Sequence, residues 1–175
     1  MRLPKKPAEK TRVRSFEPVE NAQATVLILG SMPGKASLRA GQYYAHPRNL
    51  FWSIVGELVG AGPDLPYKKR LRLLRSAGIA LWDVIESCDR ETSLDSDIEK
   101  DSLVPNDFLS FFSAHPKIRR VYFNGRKAEE CYRKYALPAL GEKPVSCRRL
   151  PSTSPAHASL SYARKLAAWR VIKTR

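Results

Sequence analysis

The sequence predicts an α/β fold, a three-layer α/β/α sandwich around a central, mainly parallel four-stranded sheet. Short apolar runs alternate along the chain with segments in which apolar residues recur at helical spacing. The apolar runs end at Gly, Asp, Asn or Pro, which is typical of strands that lead into loops. With 175 residues, of which 43% are hydrophobic, the chain is long enough for one compact domain with its own core.

Two parts of the chain differ in composition. Residues 1–14 are rich in Lys, Arg and Pro and contain little to bury, which predicts a flexible basic arm. Residues 15–175 are predicted to form a single, monomeric domain. No stretch approaches the roughly 18 apolar residues that cross a bilayer, and no apolar segment follows the basic N-terminus. We therefore expect no membrane segment, no secretory signal and a cytoplasmic location.

Four strands are predicted in the order of the apolar runs. The first, residues 26–29, is a continuous Val-Leu-Ile-Leu run that ends at Gly30, the pattern of a strand buried on both faces. The others span residues 79–85, 119–123 and 145–150, and they lead into Trp82-Asp83, Asn124-Gly125 and Pro151.

Five helices are predicted around these strands, and residues 30–49 are predicted as a long loop. The helices span residues 49–58, 67–76, 105–114, 126–135 and 159–172. Phe51 and Trp52 point in opposite directions on the first helix, so they are not expected to be buried equally. The apolar face of the last helix is expected to comprise Leu160, Ala163, Leu166, Ala167 and Val171.

The loops after the four strands are the expected place for a functional site. They comprise residues 30–49, 82–95, 124–125 and 151–157, and they are polar or rich in Gly. In open parallel sheets, ligands bind in the crevice outside the carboxyl ends of the strands. We therefore expect the four loops to converge on one crevice.

The charge balance favours a polyanionic partner. The chain has 31 Lys and Arg against 17 Asp and Glu, a net charge of +14. Basic residues concentrate in residues 1–14 and 139–175, whereas residues 82–107 are acidic. Such an excess is best tolerated beside phosphates, so nucleic acid is the expected partner. A generically soluble basic protein and an acidic membrane surface remain alternatives, although no basic amphipathic helix supports the second.

Cysteine and histidine spacing predicts neither a metal site nor a cofactor. Cys88, Cys131 and Cys147 lie far apart without a CxxC pair. The three histidines, His46, His115 and His157, show no spacing typical of metal ligands. Buried, inert thiols in a reducing compartment are therefore expected.

Two segments of the first loop carry candidate functional groups. Residues 30–34, Gly-Ser-Met-Pro-Gly, lack both the Lys-Ser/Thr of a Walker loop and the third Gly of a dinucleotide fingerprint. Residues 42–52, Gln-Tyr-Tyr-Ala-His-Pro-Arg-Asn-Leu-Phe-Trp, combine rings that stack on bases, an amide, and an Arg suited to phosphate. The alternative for Tyr43, Phe51 and Trp52 is that they are core aromatics.

The later loops allow functional and structural interpretations. Residues 151–157, Pro-Ser-Thr-Ser-Pro-Ala-His, suit a phosphate clamp or an ordinary turn before the final helix. Asp83 could face a ligand or cap the turn after its strand. Asn124 could also be a simple turn residue, because it precedes Gly125.

The chain resembles the uracil-DNA glycosylase superfamily and, within it, the hypoxanthine-DNA glycosylase branch. The resemblance rests on an ordered set of segments over about 130 residues: 30–34, 43–52, Leu-Trp-Asp-Val-Ile at 81–85, Phe-Asn-Gly at 123–125, and Leu-Pro-Ser-Thr-Ser-Pro-Ala-His at 150–157. No single segment is specific, but their order is. The resemblance implies a three-layer fold and excision of a base from DNA without a metal.

Two positions depart from the superfamily pattern. Met32 stands where the mismatch-specific branch carries an Asn that holds the attacking water. Leu150 stands where many relatives carry a His that stabilises the departing base. The resemblance to the hypoxanthine branch transfers the catalytic amide to Asn49, and leaves His46 and His157 as candidates for assisting the departing base.

The resemblance implies that hypoxanthine or uracil is flipped out of double-stranded DNA and removed by hydrolysis, leaving an abasic site. No Lys is expected in a Schiff-base position, so strand cleavage is not predicted. The candidate residues are Asn49 for catalysis; Ser31, Met32, Tyr44, Phe51, Asp83 and Asn124 for the base; and Arg48, Ser152, Thr153, Ser154 and His157 for DNA.

Within this set, Phe51 is expected to stack on the base while Asp83 and Asn124 reach its hydrogen-bonding edge. Residues 152–154 are expected to pinch the DNA backbone, and the residues up to His157 to fill the gap left by the base. Two alternatives remain: a catalytically degenerate module that binds damaged or abasic DNA, and a small-molecule hydrolase that acts on nucleosides.

Overall fold

The computed structural model describes residues 11–141 and 145–173. Its strands are β1 (Thr11–Arg14), β2 (Val26–Gly30), β3 (Ile79–Asp83), β4 (Ile85–Arg90), β5 (Val104–Pro105), β6 (Arg120–Asn124) and β7 (Ser146–Leu150). Its helices are α1 (Lys35–Ala40), α2 (Phe51–Val59), α3 (Tyr67–Ser76), α4 (Phe108–Ala114), α5 (Arg126–Cys131), α6 (Leu137–Leu140) and α7 (Tyr162–Trp169). A π-helical turn, Tyr132–Ala136, joins α5 to α6, and a short 3-10 helix, Arg170–Lys173, follows α7.

The central sheet confirms the predicted fold class. Its four strands run parallel in the order β3-β2-β6-β7. Successive side chains of a strand point to opposite faces, and β2 divides its residues accordingly between two cores. Leu27 and Leu29 pack with α4 and α5, whereas Val26 and Ile28 pack with α2, α3 and α7. Helices therefore cover both faces of the sheet.

A second, three-stranded antiparallel sheet was not predicted. It has the order β1-β4-β5, and it contains part of the segment expected to be a flexible arm. That prediction is wrong for residues 11–14, because β1 pairs with β4 and the Arg12 guanidinium donates to Ser87 Oγ at 2.8 Å. The rest of the predicted arm, residues 1–10, lies outside the described residues.

The predicted strand 79–85 is divided between the two sheets. β3 ends at Asp83, and β4 begins at Ile85. Between them, the Val84 N–H donates to the Gly30 carbonyl and the Val84 carbonyl accepts from Asn106 N–H, both at 2.9 Å. These bonds hold the turn that moves the chain to the second sheet, so the apolar run continues through a change of sheet.

Helix predictions needed three corrections. The expected loop 30–49 contains the short helix α1. Phe51 and Trp52 are both buried, because the Trp52 indole donates to the Tyr43 carbonyl at 2.8 Å and the preceding loop covers it. On α7, Ala163 and Ala167 are exposed, and the buried residues are Lys165 and Trp169.

Candidate active site

A cavity of about 510 Å³ lies at the carboxyl ends of the central strands. Residues from all four predicted loops line it, which confirms that the loops converge. Ten of the twelve predicted site residues are among its lining residues, namely Ser31, Met32, Tyr44, Asn49, Asp83, Asn124, Ser152, Thr153, Ser154 and His157. Phe51 and Arg48 are not among them.

The floor of this cavity consists of Gly30, Tyr44 and Asp83. A Cβ atom on Gly30 would lie 2.4 Å from Asp83 Oδ1 and 2.8 Å from the Tyr44 hydroxyl. A side chain at position 30 would therefore collide with both polar groups. Glycine is needed here because it allows two side chains to approach the end of β2 closely.

Tyr44 separates Phe51 from the cavity. The two rings stack with centroids 4.1 Å apart, and Phe51 is 0% exposed. The expected direct stacking of Phe51 on a base is therefore not supported, because Tyr44 already covers that ring. Tyr44 is also the one non-glycine residue with positive φ (53°) among the described residues, which places its ring over Phe51 at some local strain.

Asp83 is a buried carboxyl group. It is 3% exposed, and its Oδ2 has no hydrogen-bond partner within the described part of the chain. Burial, followed by the charge of Asp95, raises the pKa of Asp83 to about 7, although the Arg90 guanidinium acts in the opposite direction. Both the neutral and the charged carboxyl group are therefore populated near neutral pH.

Asp95 is a second carboxyl group in the cavity that the sequence reasoning did not select. Its Oδ1 accepts a hydrogen bond from Ser31 Oγ at 2.6 Å. Burial raises its pKa, while Ser31 and the nearby Lys127 act to lower it. Its place at the end of the expected loop 82–95, within the acidic segment, was the available signal.

Asn49 lies at the start of α2. Its Oδ1 accepts from the Phe51 N–H at 2.9 Å, and its own N–H donates to the His46 carbonyl at 2.9 Å. The Nδ2 amino group has no partner among the described residues, so the free end of this side chain is a hydrogen-bond donor. Arg48, immediately before it, is exposed to solvent outside the cavity.

The wall of the cavity consists of Asn124 and residues 151–157. Asn124 Nδ2 donates to Thr153 Oγ1, and Thr153 N–H donates to Asn124 Oδ1, both at 2.9 Å. Asn124 Oδ1 and one Nδ2 hydrogen are thus engaged with Thr153, so this side chain positions the loop, and its second Nδ2 hydrogen takes no part in these two bonds. The Thr153 side chain is fully buried, which leaves Ser152 and Ser154 as the accessible hydroxyl groups of this turn.

Two residues of α7 support the wall and were not predicted as site residues. The buried Lys165 Nζ donates to the His157 carbonyl at 2.6 Å. The Trp169 indole donates to the Pro151 carbonyl at 2.9 Å. Both ends of residues 151–157 are therefore fixed by one helix. The Lys165 and Trp169 side chains lie on the face of α7 that the sequence pattern did not assign to the core.

The described residues offer no metal site. No group of three or more His, Cys, Asp or Glu side chains is placed to hold a metal ion within residues 11–141 and 145–173. The three cysteines carry free thiols, and burial raises the pKa of each. Within the same ranges, no helix combines the length and apolar character that spanning a membrane requires.

Comparison with known proteins identifies the family. The sequence profile of the uracil DNA glycosylase superfamily matches residues 17–173. The chain belongs to this superfamily. A hypoxanthine DNA glycosylase of Methanosarcina acetivorans is 39% identical over 153 residues, which cover 87% of this chain and 92% of the relative. A hypoxanthine DNA glycosylase of Methanosarcina barkeri is 37% identical over 118 residues, covering 67% of this chain and 73% of the relative.

A solved structure supports the same family at the level of the fold. The solution NMR structure of a Methanosarcina acetivorans protein, described as a candidate uracil DNA glycosylase, superposes with a TM-score of 0.76 at 37% identity. The match covers 94% of this chain and all of the other. The three-layer architecture is therefore that of the superfamily.

The two departures from the superfamily pattern are buried apolar residues. Met32 and Leu150 are 7% and 1% exposed, and neither can polarise a water or a departing base. Of the two histidines considered as substitutes, His157 lines the cavity and His46 does not. The His46 ring instead accepts a hydrogen bond from the Arg48 N–H at 3.1 Å.

Proposed function

We propose that this chain is a monofunctional DNA glycosylase that removes a deaminated base, hypoxanthine or uracil, from double-stranded DNA. The main support is the strand-end cavity, where the Asn49 side chain, the buried Asp83 and the half-buried serines of the wall line one space. Two relatives, one of them aligned over 87% of this chain, are named hypoxanthine DNA glycosylase, which also supports the proposal.

DNA binding rests on the basic surface and the wall. The net charge of +14 gives a salt-dependent attraction to phosphates. Arg48 is exposed and directly precedes the cavity residue Asn49, and Ser152 and Ser154 present hydroxyl groups on a turn that α7 holds in place. This rigid turn is suited to pinching the DNA backbone, and the exposed His157 to entering the gap that a flipped base leaves.

Bond cleavage replaces a C–N bond by a C–O bond. The C1′–N glycosidic bond breaks, its electron pair leaves with the base, and a water oxygen bonds to C1′. One water proton is finally taken up by the released base. The sugar becomes oxocarbenium-like on the way, so a donor that stabilises negative charge on the base lowers the barrier. The free Nδ2 of Asn49 supplies such a donor.

Hydrolysis without strand cleavage is part of the proposal. The buried Lys165 is bonded to the His157 carbonyl, which leaves Lys127 as the described lysine that lines the cavity. Borohydride treatment of the wild-type protein with substrate DNA tests this point, because a Schiff base to Lys127 would be trapped as a stable adduct. We expect no adduct, and one that disappears in Lys127→Ala would make the enzyme bifunctional.

The deciding experiment is an excision assay on end-labelled duplexes that contain inosine or uracil, followed by hot alkali. Wild type is expected to give alkali-dependent cutting. Asn49→Ala should lose at least about a hundredfold in single-turnover rate while its DNA affinity stays nearly unchanged. Asn21→Ala, at the opposite end of β2, is the matched control and should remain active. Full activity of Asn49→Ala would disprove its assigned role.

A second function is favoured by the apolar character of Met32 and Leu150. If wild type binds inosine-containing or abasic DNA tightly but releases no base, the chain is a degenerate DNA-binding module. Cleavage of free inosine would instead support a nucleoside hydrolase. The same protein preparation distinguishes the three outcomes when duplex DNA and free nucleoside are assayed side by side.

A further inference from the structure

A second cavity, the amino-end cavity, lies at the amino ends of the central strands, opposite the candidate active site. Its volume is about 580 Å³, which is within the range of small-molecule sites. Val26, Ile79 and Arg120 line it, and they are the first residues of β2, β3 and β6. Because each of these strands has five residues, a rise of roughly 3.3 Å per residue separates their two ends by about 13 Å. A ligand in the amino-end cavity is therefore separate from one in the candidate active site.

The inner surface of the amino-end cavity is apolar. Val26, Ile79 and Ile172 are 1%, 2% and 2% exposed, and they belong to the core that contains α2, α3 and α7. Val26 pairs in register with Ile79 on one side and with Arg120 on the other, so the three side chains point to the same face of the sheet. The Arg120 side chain therefore lies beside two buried aliphatic side chains.

The rim of the amino-end cavity is basic. Its basic residues are Lys117, Arg119, Arg120 and Lys173, and none of the described residues that line the cavity is acidic. None of the four forms an ion pair within residues 11–141 and 145–173. Lys117 donates to the neutral Gln23 side chain, and Arg119 donates to backbone carbonyls. The described part of the chain therefore leaves this positive charge without a neutralising carboxylate.

Backbone hydrogen bonds hold the rim in place. The Arg119 N–H donates to the Thr25 carbonyl at 3.1 Å, and the Arg119 carbonyl accepts from the Ser146 N–H at 2.8 Å. The Thr25 N–H donates in turn to the Gly78 carbonyl at 2.9 Å, at the turn before β3. The cavity is thus built on the ends of strands, so a ligand does not have to order its backbone on binding.

We propose that the amino-end cavity binds a nucleoside di- or triphosphate. The phosphoryl oxygens pair with the guanidinium groups of Arg119 and Arg120, and the base lies on the apolar inner surface. Arginine suits this role because its planar guanidinium can bind phosphate oxygens through two hydrogen bonds at once. This site is independent of the proposed glycosylase function.

The combination of a basic rim and an apolar inner surface favours this class of ligand. An inorganic anion would pair with the charges but would leave the apolar surface in contact with water. Duplex DNA carries its phosphates on a convex surface with the bases stacked inside, so its bases cannot enter the cavity. Apart from Thr25, the described side chains that line the cavity are apolar or cationic. We therefore expect little discrimination between adenine and guanine.

Isothermal titration calorimetry of the full chain with ATP, adenosine and inorganic triphosphate tests the proposal. We expect one ATP site per chain, with adenosine and triphosphate each bound at least about tenfold more weakly, because each lacks one of the two sets of contacts. GTP should bind within about threefold of ATP. The affinity for ATP should fall as the salt concentration rises.

Two variants test the location of the site. Arg120→Ala removes a guanidinium from the rim, and Ala77→Glu places a carboxylate at an exposed position that lines the cavity. Each should weaken ATP binding at least about tenfold and keep a urea unfolding midpoint near that of wild type. The matched controls are Arg39→Ala and Ala40→Glu, at exposed positions of α1 outside the cavity. Neither should change the affinity for ATP by more than about twofold.

Four outcomes would overturn the proposal. The first is no saturable binding of ATP up to about 1 mM, and the second is an equal loss of affinity in the controls and in the cavity variants. The third is loss of ATP binding in Lys127→Ala but not in Arg120→Ala, which would place the nucleotide in the candidate active site. The fourth is binding of a poly-glutamate peptide or of undamaged duplex, but not of ATP, that Arg120→Ala weakens. The occupant would then be a macromolecule.

Discussion

The floor and the wall of the candidate active site differ in whether their buried polar groups have hydrogen-bond partners. On the floor, Tyr44 and Asp83 each keep a buried oxygen without a partner among the described residues. In the wall, Asn124 and Thr153 satisfy one another through two hydrogen bonds of 2.9 Å. A buried polar group without a partner costs roughly 1–3 kcal/mol, whereas a paired one contributes about 1 kcal/mol.

This difference distinguishes polar groups that are available to a ligand from polar groups that stabilise the fold. Replacing the Tyr44 hydroxyl or the Asp83 carboxyl group should leave the free energy of unfolding unchanged or raise it, and should weaken DNA binding. Substitution in the wall should lower the free energy of unfolding, and excision activity should fall as well. The sign of the stability change is therefore a direct test of the comparison.

The largest effect is expected at Asp83. Its pKa is raised from 3.8 to about 7 by burial and by Asp95, against Arg90, while Tyr43, Tyr44 and Tyr67 also face its charge. Because the folded pKa is the higher one, the penalty is absent below about pH 4 and complete above pH 7. Relative to wild type, Asp83→Asn should gain stability between pH 4 and pH 8 by up to about 4 kcal/mol.

Urea unfolding of both proteins at several pH values measures this gain. The difference between the two free energies of unfolding isolates position 83, because all other titrating groups are shared. For Asp64→Asn, at an exposed position, the difference from wild type in the free energy of unfolding should not grow with pH in this way. If the difference in the free energy of unfolding between wild type and Asp83→Asn is constant from pH 4 to pH 8, burial does not raise the pKa of Asp83 and the assignment is wrong.

An effect of opposite sign is expected in the wall. Asn124→Ala removes both hydrogen bonds to Thr153 and leaves the buried Thr153 hydroxyl and its N–H unpaired. The free energy of unfolding should fall by roughly 2–3 kcal/mol at every pH, and excision should fall because residues 151–157 lose their support. Asn21→Ala also loses two side-chain bonds, one to the Arg75 carbonyl and one from the Gln23 N–H. Because Gln23 is exposed and water can replace its partner, this variant should lose less stability. Wild-type stability in Asn124→Ala would remove the distinction between wall and floor.

The sequence allowed prediction of which residues line this site. It did not allow prediction of which of them are available to a ligand and which are engaged in stabilising the loops. Apolar runs identify buried parallel strands, and parallel strands bring their carboxyl ends together, so the positions of Asp83, Asn49 and the serines followed from topology. Whether Tyr44 covers Phe51 or Asn124 is already engaged depends on contacts between loops that are distant in sequence. The periodicity of a single segment contains no such information.

The unpredicted parts share a physical cause. β1 is rich in charged residues, and its strand conformation comes from pairing with β4 rather than from its own apolar residues. The polar loop that follows β4 returns Asp95 to the cavity, although nothing in its local pattern indicates burial. Lys165 is buried because its amine reaches the His157 carbonyl; a charged residue in a helix is ordinarily assigned to the exposed face.

The smallest effect, at two neighbouring tyrosines, is the cleanest test. Tyr43 and Tyr44 are adjacent, and the Tyr43 hydroxyl donates to the Glu17 carbonyl at 2.9 Å whereas that of Tyr44 has no partner among the described residues. Tyr43→Phe should lower the free energy of unfolding by about 1 kcal/mol, and Tyr44→Phe should leave it unchanged or raise it by up to about 1 kcal/mol. Only Tyr44→Phe, which removes the hydroxyl on the cavity floor, should weaken the binding of inosine-containing DNA. Equal losses of stability in both variants would mean that the Tyr44 hydroxyl is a structural group, and the contrast between floor and wall would then rest on Asp83 alone.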